Sequence, residues 1–342
     1  MLDVPLPEIA PDQALVRVTH CGICGSDLRY LHGDNPWAKQ TLGEQHPNPR
    51  NIILGHEVSG VVERLGENCD ASLDGRRVAV LAFGVCGECY FCKRGDEHLC
   101  PNTQHLGHGA GWGTAEYYYG GMAEYLPAPA RWLQLLPDDV SNEAACLLDP
   151  LGVAVHGVKT AGVSAGDTVL VIGAGAVGAL AIQVARQSGA AEVLVADVCD
   201  EVLHIARKLG ASHAVNPLRE QVSTAVMHAS RRVGARVILD TVGARLEQYL
   251  PMLARGGSYV TMTVTDKPEA FPTVLLAGER SLRSSCNFRF SDYAEAMALL
   301  GRRRIDTGAI ITHRYSLADA LEAFRVAEDK ATTGAVKVVL TG

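Results

Sequence analysis

No apolar run in this chain reaches the roughly 18 residues that a membrane-crossing helix needs. The start, Met1-Leu2-Asp3-Val4-Pro5, carries no basic stretch followed by an apolar block, so no secretory signal is expected and the chain reads as cytoplasmic. Basic residues are outnumbered 31 to 38, a net charge of −7. Nucleic acids and anionic membranes call for a basic face, and neither partner is expected. There is no low-complexity tract and no repeat of fixed period, which excludes solenoids and propellers. Ten cysteines in a reducing compartment are then free thiols or metal ligands rather than disulfides.

At 342 residues the chain exceeds one compact core, and two domains are expected. Up to about Pro150, short β segments such as 14–18, 58–62 and 77–81 are separated by turns. Beyond it the rhythm changes. Thr168-Val169-Leu170-Val171-Ile172 is continuously apolar, as a strand buried on both faces would be. Helical pattern follows over 176–187, strand at 193–196, helix at 201–209, and further strands at 236–239 and 258–262. Such alternation predicts a doubly wound parallel sheet. The tail from 291 returns to helix, strand pair and helix, ending in Val336-Lys337-Val338-Val339-Leu340. The expected organisation is an α/β chain with a nucleotide-binding domain at 151–290, inserted into a mainly β domain of residues 1–150 plus 291–342.

The first buried strand runs into Gly173-Ala174-Gly175-Ala176-Val177-Gly178. A lone G-x-G-x-x-G is weak, but here a strand precedes it, a helix follows, and Asp197 stands about 20 positions on. Gly173 permits the tight turn, Gly175 lets backbone approach a pyrophosphate, and Gly178 lets helix and strand pack closely. The helix N-terminus, beginning at Ala176 and Val177, offers N–H groups to phosphate. Asp197 at the end of the second strand suits a ribose hydroxyl and repels the extra phosphate of NADP, so NAD(H) is expected. The plain alternative is a glycine-rich turn with a surface aspartate.

Cys86-x2-Cys89-x2-Cys92-x7-Cys100 is the most specific pattern in the chain, and a lobe at 84–102 would carry it. Four thiolates this close can surround one Zn²⁺, and a shell closed by sulfur leaves no room for substrate, so the site would be structural. Cys100-Pro101 also echoes a ferredoxin-type run, although that run has three residues before its last cysteine. A nucleic-acid zinc ribbon is the other alternative, disfavoured by the acidic balance.

Singly, Cys24-Gly25-Ser26-Asp27, Gly55-His56-Glu57 and Asp149-Pro150 have ordinary explanations: a buried thiol, a core histidine, a capping aspartate. In order along the chain, C-G-I-C-G-S-D, G-H-E-x-x-G, the four cysteines, D-P-L-G-V-A-V-H and G-A-G-A-V-G resemble the zinc-containing medium-chain dehydrogenases over nearly the whole length. Phe288-Arg289-Phe290 and Thr312-His313-Arg314-Tyr315 are similar to the sorbitol (polyol) branch, with the threonine dehydrogenases close by. The resemblance implies a GroES-like catalytic domain around a Rossmann-type domain, two zinc ions per chain, NAD(H), and a homotetramer or homodimer. It implies that Cys24, His56, Glu57 and Asp149 serve a catalytic zinc, Glu57 and Asp149 directly or by turns, and that Ser26 accepts the hydroxyl proton. Val242, Thr263 and Val264 would join the cofactor site, while Tyr30 and Arg289 would line the substrate cleft.

The expected reaction is oxidation of a secondary alcohol on a small hydrophilic polyol, sugar alcohol or cyclitol to the ketone, and its reverse. An amino-alcohol dehydrogenase of the threonine type shares every motif, and a non-catalytic zinc protein of the same fold is the remote alternative. Three departures stand out. Arg29 occupies a place where many relatives carry a relaying histidine, and arginine cannot shuttle protons; it is expected to face cofactor phosphate or an anionic substrate group. Val202 replaces an arginine at the adenosine end. Residues 33–52, with a solvated His46, look longer than the family loop.

Overall fold

The computed structural model describes residues 3–35, 49–109, 111–265 and 267–342. Most of the 33–52 segment, including His46, lies outside these residues. The chain divides into two compact units, one of Met1–Asp149, His313–Asp329 and Lys337–Gly342, the other of Pro150–Thr312 and Lys330–Val336.

In the first unit, Gln13–Gly22 is the central strand, because its apolar residues Ala14, Leu15 and Val16 are almost wholly buried. It pairs antiparallel with Glu57–Leu65 on one side and with Lys337–Thr341 on the other. Tyr125–Pro129 also adds to it. The sheet runs on through Arg77–Val80 to Leu133–Leu135. The last strand of the chain is therefore clamped against the first. Its burial is nearly complete, Val338 and Leu340 at 2% and Lys337 at 3% exposure.

The second unit is built on six parallel strands in the spatial order His213–Val215, Glu192–Ala196, Thr168–Ile172, Ala235–Asp240, Leu253–Thr261 and Ser281–Ser284. Numbered along the chain this is 3-2-1-4-5-6, the Rossmann order, and the direction reverses between Thr168–Ile172 and Ala235–Asp240. Ligands of such sheets bind beyond the strand C-termini at that switch point. There Asp240 is buried and its carboxylate accepts from the N–H groups of Val242, Gly243 and Ala244 and from the Tyr259 hydroxyl. It holds the loop open in one shape.

The return to the first unit falls at residue 313, not 291. Helix Phe290–Gly301 stays with the nucleotide-binding unit because buried Asp292 anchors it to helix Leu148–Ala161. One Asp292 oxygen meets His156 Nδ1 at 2.7 Å, and the other accepts from Lys159 Nζ at 2.8 Å. Burial alone would raise the Asp292 pKa, but those two partners together hold it well below the usual carboxylate range. A depressed carboxylate stabilises the fold above its unfolded pKa of about 3.9, and that stability disappears as pH falls through the folded value. Asp292→Asn is therefore expected to destabilise the protein by about 3 kcal/mol at pH 7. The difference from the parent should shrink steadily in denaturation curves taken below about pH 4.

Candidate active site and metal centres

The candidate metal cluster is assembled where the central strand ends. After Gly22 the chain turns through Cys24 into helix Gly25–Leu31, whose N-cap is Cys24 itself. Asp27, three residues in, is fully buried and accepts from the Cys24 N–H at 2.8 Å and the Gly55 N–H at 3.1 Å. One carboxylate thus ties two sequence motifs together. Gly55 has φ of +96°, a conformation closed to most side chains, and its turn presents His56 beside Cys24.

Donor atoms of Cys24, His56 and Glu57 all lie within 4.8 Å of one another. Asp27 Oδ1 sits 3.4 Å from His56 Nδ1, which leaves Nε2 as the nitrogen free to face a metal. Burial opposes charge on the imidazole, yet Asp27 and Cys24 outweigh it and raise the His56 pKa well above its usual value. A thiol, an imidazole and a carboxylate in such mutual reach could hold a zinc ion. Ser26 Oγ is 3.4 Å from His56 Nε2.

Glu57 is buried, and Lys337 Nζ from the closing strand donates to both its oxygens at 2.6 Å and to the Ile23 carbonyl at 3.0 Å. A Cβ on Gly22 would collide with that carboxylate, so glycine is required there. Asp149, at the start of helix Leu148–Ala161, stands outside the group of three, although it feels the charges of His56 and Glu57. Burial raises its pKa to about 7.

Tyr30, on the same helix as Ser26, is buried, and burial raises its pKa. Its ring packs 4.9 Å from His108, which packs 4.7 Å from His105. Neither histidine, nor Asp27, nor Lys337 was singled out for a role from sequence. Lys337 had a signal, since a lysine inside an apolar buried strand must find a counter-charge. Asp27 lay within a recognised motif. The two histidines had none.

In the lobe, Sγ atoms of Cys89 and Cys92 are 3.5 Å apart, those of Cys100 and Cys86 3.6 Å, and those of Cys86 and Cys92 4.0 Å. Tetrahedral zinc with Zn–S of about 2.3 Å requires sulfurs about 3.8 Å apart. The separations bracket that value and are far too long for disulfides. The Glu88 and Cys89 amides hold the Cys86 thiol down at about 6, so thiolate is ready at neutral pH. Cys100→Ser should lower zinc content by one ion per chain and destabilise the lobe, read as earlier trypsin cleavage in the 84–102 region.

In the second unit Gly173 has φ of +92°, and a side chain on Gly178 would strike the Gly173 carbonyl. Gly175 caps helix Ala176–Gln187, whose first N–H groups have no acceptor within the helix. Asp197 Oδ2 accepts from the Ala174 N–H at 2.7 Å and Oδ1 from the Cys199 N–H at 2.9 Å. The carboxylate assigned to the ribose also braces the loop, with lone pairs to spare for hydroxyls. Val242 is exposed at the switch point, with Thr263 and Val264 partly buried beyond the next strand. A glycine turn, an open helix N-terminus and a ribose-seeking carboxylate fit a dinucleotide. Val202 is buried and packs in the core, while Arg289 caps helix Phe290–Gly301 through its backbone.

Residues 10–138 match the alcohol dehydrogenase GroES-like domain and residues 176–302 the zinc-binding dehydrogenase domain. L-threonine 3-dehydrogenase of Anaeromyxobacter dehalogenans is 32% identical, over 95% of this chain and 90% of its own length. The chain belongs to the zinc-dependent medium-chain dehydrogenases. Also similar is the probable D-xylulose reductase A of Aspergillus fumigatus, 33% identical over 99% of this chain and 92% of its own. An alcohol dehydrogenase of Escherichia coli CFT073, solved with NADH, shares 26% identity and a TM-score of 0.84, covering 98% of this chain and 94% of that one. This dehydrogenase is therefore an oxidoreductase of alcohols that uses zinc and NAD(H). Among its described residues no helix is long and apolar enough to cross a membrane.

Proposed function

We propose that this dehydrogenase oxidises a secondary alcohol of a polyol, sugar alcohol or cyclitol to the ketone, and catalyses the reverse. The observation that carries this reading is the ring wall of Tyr30, His108 and His105 beside His56. Burial, and after it the charge of His56, hold the His105 pKa down at about 3. Burial, His105 and His56 keep that of His108 well below its usual value. Both imidazoles are neutral at pH 7, each with one donor and one acceptor. Vicinal hydroxyls can match such pairs, whereas a hydrocarbon alcohol would desolvate them without return.

Bound zinc supplies a Lewis acid for the substrate oxygen, and the nicotinamide accepts the hydride that no side chain can hold. Cys24, His56 and Glu57 would hold the metal, with Asp27 fixing the imidazole and Asp149 as an acidic neighbour able to carry a proton near neutrality. Ser26 takes the hydroxyl proton, and the Tyr30 hydroxyl on the same helix extends the polar wall. Arg29 donates from Nε to Asp34 at 2.9 Å and a guanidinium is no proton relay, so Ser26 would pass the proton on without it.

A second reading, an L-threonine-type dehydrogenase, is favoured by the relative named above. NADH release from sorbitol, xylitol, myo-inositol, L-threonine and 2-butanol separates the two. The polyol reading expects the best polyol to exceed L-threonine at least tenfold in kcat/KM, and His108→Phe to raise KM for that polyol but not for 2-butanol. A preference for L-threonine overturns it.

A further inference from the structure

We infer that Lys330 is a cofactor ligand, placed so that its ammonium meets the diphosphate of NAD(H) over the glycine loop. The loop's second glycine is the point where backbone must come closest to the phosphates. A Cβ built on Gly175 would find a single described neighbour within 4 Å, and that neighbour is Lys330 Nζ at 3.8 Å. The amine therefore stands over the face that the missing side chain leaves open.

Lys330 is brought there by the return of the chain. Residues 330–336 cluster with the nucleotide-binding unit although the segments on either side do not. The stretch is tied down at both ends. The Cys199 thiol donates to the Lys330 carbonyl at 3.5 Å, and Gly334 sits so close to Glu201 that a Cβ there would be 3.0 Å from the glutamate Cβ. Cys199 and Glu201 lie two and four residues after Asp197, so the segment that shapes this end of the loop also positions the lysine.

Electrostatics gives the lysine a task. Helix Ala176–Gln187 offers the diphosphate only the partial charge of its N-terminus, about half a unit. Asp197, hydrogen-bonded to the loop amide of Ala174, adds a full negative charge nearby. A diphosphate brings two more. One ammonium at this position offsets the carboxylate and leaves the helix end to attract the ligand. Lys330 is exposed before binding, so the expected gain is that of one partly solvated ion pair, about tenfold in Kd.

The test is direct binding to the zinc-loaded protein, with NADH followed by its fluorescence and ADP and adenosine by calorimetry. Lys330→Ala should raise the Kd of NADH and of ADP about tenfold and flatten its dependence on salt. Adenosine, which has no phosphate, should bind as before, and Lys330→Arg should restore NADH binding. Zinc content and the melting temperature should match the parent. Should Lys330→Ala fold poorly, Lys330→Gln is measured in its place. Kd values for NADH and ADP within twofold of the parent overturn the inference, as does an equal loss for adenosine. Failure of the parent protein to bind NADH at all would instead contradict the cofactor assignment itself.

Discussion

His56→Ala should leave this dehydrogenase with one zinc per chain instead of two and reduce kcat/KM for its best alcohol by at least about 10³-fold. Only three described donors meet within 4.8 Å, and removing one leaves a thiol and a carboxylate already engaged with Lys337. A Lewis acid contributes several kcal/mol of charge stabilisation at the substrate oxygen, and about 4 kcal/mol corresponds to 10³-fold. NADH binding should survive, because the glycine loop belongs to the other unit. Metal analysis beside a fluorescence titration checks both halves. Two zincs retained in His56→Ala would show that the imidazole is no ligand.

The second large effect concerns Lys337. Its ammonium is 3% exposed and bonded to both oxygens of Glu57, so Lys337→Met strands a buried carboxylate. Breaking one side of a buried pair costs about 3–5 kcal/mol, on the order of 10 °C in melting temperature for a unit of this size. Without the lysine the Glu57 carboxylate also loses the contact that fixes it beside Cys24 and His56, and kcat should fall. The Glu57→Gln/Lys337→Met pair should be less destabilised than Lys337→Met alone, since no charge is then left unpaired. Equal melting temperatures for the single and double variants would show that the pair is not coupled.

Much of this molecule was legible in the sequence wherever the information is local. Thr168–Ile172 and Ala176–Gln187 fall at the expected residues because a doubly buried strand must be apolar throughout and a glycine loop marks where it stops. The four lobe cysteines converge because their spacing leaves little other choice. What was hidden depends on distant parts of the chain meeting. Glu57 and Lys337 are separated by 280 positions, and no periodicity relates them. Asp27 was visible as a letter in a motif, but its grip on the Gly55 amide appears only when the two turns are side by side. Helix Phe290–Gly301 looked like part of the returning tail, and one buried carboxylate keeps it with the other unit.

The clamping of the final strand against the first has an implication for how the enzyme is made. A nascent chain with residues 150–312 outside the ribosome already holds nearly everything the parallel sheet requires, and domains fold as units during synthesis. The partner of Glu57 is still to be translated. The candidate metal centre of Cys24, His56 and Glu57 can be completed only after Lys337, 280 positions beyond Glu57, has been made. Chains that stop short of Lys337 would thus carry the residues of the parallel sheet but an unfinished candidate pocket, and are candidates for proteolysis rather than for partial activity.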